Sequence, residues 1–223
     1  MNLKHIVAIA VIITGSVFAQ NTPQVDKSNN IIVKAGIAYG FRFGPAFAGT
    51  AEQKQVYNNL SAGTVYDFGL FYRINNQAAL GFKYNRYNAS SPVSDPLTPL
   101  IKNTATQNDV ISFYGASYLI DQKFRESKHE ASLELAVGYI DYRSSVSKFN
   151  NFQSYGGNFG AIANASYKYR LLSKFSVGPT ISLIGGVIKN FEITADNISS
   201  QTTLDSNTSL WRIDLGFEAI YRL

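Results

Sequence analysis

A closed, membrane-spanning β-barrel of eight antiparallel strands is the fold class that the sequence predicts. Three observations predict it. Apolar and polar residues alternate with a period of two in segment after segment, almost no helical periodicity exists to cover the apolar faces, and the connections alternate between short and long. Side chains of a strand point to its two faces in turn, so each such segment has one oily face and one polar face. Hydrocarbon is the solvent that suits so many uncovered oily faces, and in hydrocarbon a sheet survives only when it is closed.

Composition agrees. The 223 residues include 14 Tyr, 15 Phe and 17 Gly but no Cys. Mean hydropathy is close to zero, as follows when lipid-facing and lumen-facing residues cancel. Helical spans would instead need apolar runs of about 20 residues. The absence of Cys excludes disulfides and thiolate metal or redox sites. A net charge of +5 without basic runs makes nucleic acid a poor partner.

The one long apolar run is N-terminal. Lys4 and His5 form a short basic region, residues 6–14 an apolar one, and Val17-Phe18-Ala19 a cleavage site before Gln20. Residues 1–19 therefore read as a secretory signal peptide, with export through the Sec pathway. Residues 20–30, rich in Asn, Gln, Asp and Lys, read as a flexible mature N-terminus, and 31–223 as the barrel.

Strand one, residues 31–44, sets Ile31, Val33, Ala35, Ile37, Tyr39, Phe41 and Phe43 against Lys34, Gly36, Ala38, Gly40 and Arg42. Strand two, about 64–74, sets Tyr66, Phe68, Leu70, Tyr72 and Ile74 against Asp67, Gly69 and Arg73. In strand three Leu80, Phe82 and Tyr84 oppose Gly81, Lys83 and Asn85. Strand four, about 110–120, has the weakest alternation: Val110, Tyr114, Ala116, Tyr118 and Ile120 face outward on one parity, but Ile111, Phe113 and Leu119 blur it.

Strand five, about 131–142, sets Leu133, Leu135, Val137 and Tyr139 against Ser132, Glu134, Ala136 and Gly138. Strand six, about 158–171, places Phe159, Ala161, Ala163, Ala165, Tyr167, Tyr169 and Leu171 outside, with Asn158, Gly160, Asn164, Ser166, Lys168 and Arg170 inside. Strand seven, about 175–189, contains Pro179, which cannot donate to a ladder, so a bulge or a gap in pairing is expected there. The last strand, 210–223, alternates Trp211, Ile213, Leu215, Phe217, Ala219, Tyr221 and Leu223 with Arg212, Asp214, Gly216, Glu218 and Arg222.

Short joins near Asn75-Asn76-Gln77 and Leu172-Ser173, and a charged one over 121–130, alternate with long connections over 45–62, 88–108, 143–157 and 190–209. Short turns at the periplasmic end and long loops at the other are the outer-membrane arrangement. A soluble lipocalin-type barrel would invert the two faces. The concentration of Gly in the charged set, which suits a crowded lumen, favours lipid outside.

These features resemble the small eight-stranded outer-membrane β-barrels of the OmpX and OmpA transmembrane-domain type. The terminal strand, with Leu215, Phe217, Ala219, Tyr221 and Leu223, is similar to the C-terminal signal read by the barrel-assembly machinery, although that signal usually ends in Phe. The Gly178-Pro179 pair is similar to barrels of the PorT-like group. The resemblance implies residence in a bacterial outer membrane, with its lipid and that machinery as partners.

A lumen of eight strands is narrow enough to be filled by its own side chains. The inward set comprises Lys34, Arg42, Arg73, Lys83, Lys168, Arg170, Arg212 and Arg222, with Asp67, Glu134, Asp214 and Glu218. A plug of internal ion pairs is expected, since an isolated buried charge costs several kcal/mol. The surplus of cations keeps open a thin, anion-leaning conduit. Catalysis is not expected. The two His are His5, in the signal peptide, and His129, in a short-end turn. Glu192 and Asp196 read as ordinary loop charges, no phosphate loop or HExxH occurs, and no cofactor or metal is called for. The connection 88–108, with Pro92, Pro96, Pro99, Leu97, Leu100 and Ile101, is expected to pack over the mouth or to meet a partner. Aromatics near strand ends, namely Tyr39, Phe43, Tyr66, Tyr84, Tyr87, Tyr139, Tyr167, Tyr169, Trp211 and Tyr221, suit interfacial girdles. The function expected is non-enzymatic: envelope structure or surface interaction through the long loops. A narrow solute channel, or an accessory part in secretion or assembly, is the alternative.

Overall fold

A computed structural model describes residues 30–43, 51–93, 105–124, 127–147, 152–195 and 198–223. The expected signal peptide and nearly all of the expected mature N-terminus lie outside these residues. The elements are β1 (Ile31–Arg42), α1 (Ala51–Leu60), β2 (Ala62–Arg73), β3 (Ala78–Val93), β4 (Ala105–Lys123), β5 (His129–Val146), β6 (Gln153–Leu172), β7 (Phe175–Ala195), β8 (Ile198–Ser209) and β9 (Arg212–Arg222).

Each strand pairs antiparallel with the next from β1 to β7, and β9 closes the ring between β7 and β1. The closing seam runs unbroken from Ile32 opposite Arg222 to Arg42 opposite Arg212. β8 and β9 share the eighth position end to end, the first pairing with the upper part of β7 and the second with its lower part. Closure gives every mid-depth strand a partner on each side, as the absence of water in hydrocarbon demands.

The exterior is apolar. Ile37, Tyr66, Tyr72, Leu80, Phe82, Val137, Phe159 and Phe217 are all at least half exposed, Phe217 at 67%. On β4 the even parity faces out: Tyr114 is exposed, while Ile111, Phe113 and Leu119 are buried in the lumen. The blur in strand four therefore has a physical source, because apolar residues occupy both of its faces.

Pro179 produces a gap and not a bulge. Pairing of β6 with β7 lapses between Ser166–Thr180 and Tyr169–Val177 without a change of register. On its other side Pro179 stays in the β7–β9 ladder opposite Phe217. A register shift occurs higher in the β6–β7 seam, between Gly156 and Gly160. There Asn158, expected inside, is exposed and donates to the Val187 carbonyl at 2.9 Å.

Three of the four long connections are shorter than expected. β3 with β4, β5 with β6, and β7 with β8 continue their ladders well beyond the segments of strong alternation. The oily parity ends where the lipid ends, but backbone pairing does not, so the sequence signal stops before the strand does. Pro92 thus lies at the end of β3, opposite Thr106. Pro96, Pro99, Leu97, Leu100 and Ile101 fall outside the described residues, as does Asp196, whereas Glu192 is exposed on β7. The first long connection holds α1, which the sequence reading did not anticipate. Gln53, Lys54 and Gln55 are competent helix formers, but Val56 and Leu60 alone supply an apolar i, i+4 pair.

A charge at the outward centre of β9 tests the orientation of the barrel. Phe217→Arg is expected to destabilise the fold by about 2–4 kcal/mol, measured by urea unfolding in lipid vesicles. A change near zero would contradict hydrocarbon contact at this position.

Candidate functional site

The feature that sets the interior apart is a set of charged side chains that cross the lumen in three tiers. It arises from parity alone: on each strand the residues opposite the oily face project to the axis, where strands distant in sequence meet.

The central tier holds three ammonium groups and three carboxylates. Lys34 lies 2.6 Å from Glu134 and 2.7 Å from Glu218. Lys83 lies 2.9 Å from both Asp67 and Glu134. Lys168 lies 3.4 Å from Glu218. All three lysine side chains are 0% exposed. Neutral donors add to the shell: Ser117 to Glu134 at 2.7 Å and Asn85 to Asp67 at 2.9 Å. Asn164 accepts from Lys34 at 3.0 Å and donates to Ser182 at 2.7 Å. Such closure is what makes buried charges tolerable, since each remaining lone pair or proton needs a partner.

In the upper tier Arg212 forks onto both oxygens of Asp214 and donates to Asn85 at 2.6 Å. Its guanidinium sits 4.8 Å from the centre of the Tyr87 ring. Arg42 pairs with Asp109 at 3.0 Å, and Asp109 also accepts from Tyr142 and Ser144. In the lower tier, at the short-turn end, Arg222 bridges Asp121 at 2.8 Å and Glu130 at 2.6 Å. Arg73 reaches Asp121 at 3.5 Å, Arg170 reaches Glu130 at 2.8 Å, and Ser176 donates to Glu130. Every cation of the inward set thus has a carboxylate within ion-pair distance.

Asp109, Asp121 and Glu130 supply three of those carboxylates, and the sequence reading missed all of them. The sequence puts Asp121 and Glu130 in a charged join, yet they continue the inward parity of Ser117-Leu119 and Ser132-Glu134. Extending the alternation by one step finds both. They remove most of the cation surplus on which an anion-leaning conduit rested. Tyr87, expected in the girdle, is instead fully buried in the lumen, and its hydroxyl donates to the Leu60 carbonyl at 2.8 Å. The other nine girdle residues lie on the outward parity.

Above the central tier apolar side chains pack around the upper ion pairs. Val65, Tyr87, Ile111, Phe113, Ile140, Ile162, Ile184 and Ile188 form one buried cluster, and Leu60 of α1 joins it from the mouth. Val56 packs on the same cluster, and Asn59 donates to Ser91 at 3.1 Å. A second cluster, with Ile32, Phe71, Leu119 and Ile220, fills the lower lumen beside the ion pairs. The central void bordered by Asp67, Asn85, Asn164, Ser182, Asp214 and Glu218 measures about 10 Å³, room for roughly one water molecule.

Of the C-terminal residues, Leu215, Phe217, Tyr221 and Leu223 point outward and are exposed, and Ala219 is half-exposed on the same parity. His129 opens β5 and stacks on Tyr167 at 5.5 Å between ring centres, with Tyr169 edge-on at 5.3 Å. It belongs to an outward aromatic group, not to a solvated turn.

Glu134→Ala leaves Lys34 and Lys83 each short of one partner. A loss of about 3–5 kcal/mol is expected, against about 1–2 kcal/mol for Ser117→Ala, which removes one hydrogen bond to the same carboxylate. Urea unfolding in vesicles measures both, and equal losses would contradict the role assigned to the pairs.

No protein-family model and no curated protein matches the chain. Solved structures do. The Neisserial surface protein A (NspA) aligns with a TM-score of 0.55 at 13% identity, over 86% of this chain and 97% of that one. The outer membrane protein OprG from Pseudomonas aeruginosa aligns with a TM-score of 0.52 at 12% identity, over 88% and 98%. The outer membrane protein AlkL, solved in lipid bilayers, aligns with a TM-score of 0.51 at 12% identity, over 92% and 97%. The chain has the fold of the small eight-stranded outer-membrane β-barrels.

Proposed function

We propose that the protein is a non-enzymatic barrel of the bacterial outer membrane that serves envelope structure or surface interaction through the strands and connections above its rim. The sealed lumen carries this reading. Its carboxylates and cations are committed to one another across three tiers, its upper half is packed with apolar side chains, and α1 lies on the mouth. Charges held in such a lattice have little freedom to serve as general acids or bases, or to escort a solute. The tall ladders of β3 to β8 are the part left to meet other molecules.

Two measurements test the proposal. In planar bilayers the refolded protein is expected to give no discrete conductance steps. Steps that persist at low protein concentration would favour the narrow channel. Envelope fractionation is expected to place the protein in the outer membrane with mobility that changes on boiling, and N-terminal sequencing to begin at Gln20. A soluble periplasmic protein with no mobility change would overturn the membrane assignment, and a mature chain still beginning at Met1 would overturn the exported signal peptide.

A further inference from the structure

Resting on the outer-membrane reading, we propose that the outward face of β3 to β5 around Arg86, Ser112 and Arg143 binds the phosphate of a membrane-lipid headgroup. The register builds this patch. Arg86, Ser112 and Asp141 form one cross-strand row, and Asn88, Val110 and Arg143 the next row toward the rim. All lie on the outward parity. The row beneath is Tyr84, Tyr114 and Tyr139, continued by Phe159 on β6. Tyr114 and Tyr139 pack with ring centres 5.7 Å apart, and Phe159 is 81% exposed. An aromatic row of this kind marks the boundary between hydrocarbon and headgroups, so the two guanidiniums stand at headgroup depth.

The contrast with the interior gives the patch its meaning. Inside, each cation of the three tiers is paired with a carboxylate. Outside, Arg86 is exposed and makes no ion pair among the described residues; its Nε donates to the Asn88 side chain at 3.1 Å. Arg143 touches Asp141 at 3.2 Å yet leaves its side chain 67% exposed. Its guanidinium also lies 5.4 Å from the centre of the Tyr155 ring. Tyr155 faces Arg143 from β6, so these contacts hold the guanidinium on the side of β5 away from Arg86. From strand spacing and rise, the two arginine Cα atoms are about 10 Å apart across the sheet and about 7 Å along it. Once Arg143 leaves the Tyr155 ring, both side chains can turn over Val110 and Ser112 and meet on one anion. A planar guanidinium offers parallel donors to phosphate oxygens. Phosphate on an acyl-chain anchor fits the site better than a free anion, because the aromatic row directly below supplies the apolar contact that a free anion cannot use.

Lipid retention by the full chain refolded in dodecyl maltoside tests the proposal, read by native mass spectrometry. The probes are dipalmitoyl phosphatidic acid, dipalmitoylglycerol and inorganic phosphate. Wild type is expected to retain phosphatidic acid about tenfold better than dipalmitoylglycerol, and the R86Q/R143Q double variant to lose that preference while keeping heat-dependent mobility. A folded double variant that retains phosphatidic acid as wild type does would overturn the site. Inorganic phosphate bound as tightly as phosphatidic acid would overturn the lipid assignment in favour of a free-anion site. Wild type without heat-dependent mobility would instead overturn the barrel reading on which the site rests.

Discussion

Hydrocarbon offers no hydrogen-bond partners, and that constraint shapes every level of the structure. It requires the sheet to close, so that β1 meets β9 in unbroken register and no edge strand is left at mid-depth. It requires the outer parity of each strand to be apolar. It also sends the charged residues to the axis, where they must neutralise one another because water cannot follow them in number. Lys34, held between Glu134 and Glu218, belongs to the same solution as exposed Phe217. One parity cannot be changed without stranding the other.

The interior solves its part of the problem in two ways. In the centre, ammonium and carboxylate groups match in number, and Ser117 and Asn85 donate to carboxylate oxygens beside them. Toward the mouth an apolar cluster packs around the Arg42–Asp109 and Arg212–Asp214 pairs and is closed by Leu60 and Val56 of α1. A buried ion-pair lattice adds little net stability by itself, but it is costly to break and so holds a single arrangement of the strands. The apolar cluster gives the upper barrel a packed core similar to that of a soluble domain. Together they make the barrel a rigid base for the strands above it.

Much of this was legible in the sequence. Closure, strand number and the facing of most side chains follow from alternation, because lipid imposes it on every turn of the pleat. The three unnoticed carboxylates lie at strand ends, where the outer face is no longer greasy and the period is hard to see. Tyr87, Ile111 and Phe113 were obscure for another reason. An apolar residue pointing inward looks the same in sequence as one pointing outward, and only the parity of its neighbours separates them. α1 escaped because a short helix needs just two apolar contacts, Val56 and Leu60, to dock. The extended ladders above the rim escaped because water solvates both of their faces, so no alternation remains to reveal them.

The single tryptophan, Trp211, lies on the outward parity beside Phe43, with ring centres 6.4 Å apart. It offers the most direct test of the orientation of the whole barrel. Its fluorescence in reconstituted vesicles is to be compared in the presence of phospholipids brominated near the headgroup and of aqueous iodide. An outward, lipid-contacting Trp211 is quenched strongly by the brominated lipid and weakly by iodide. Quenching by iodide with no response to brominated lipid would mean that the oily faces do not meet the membrane.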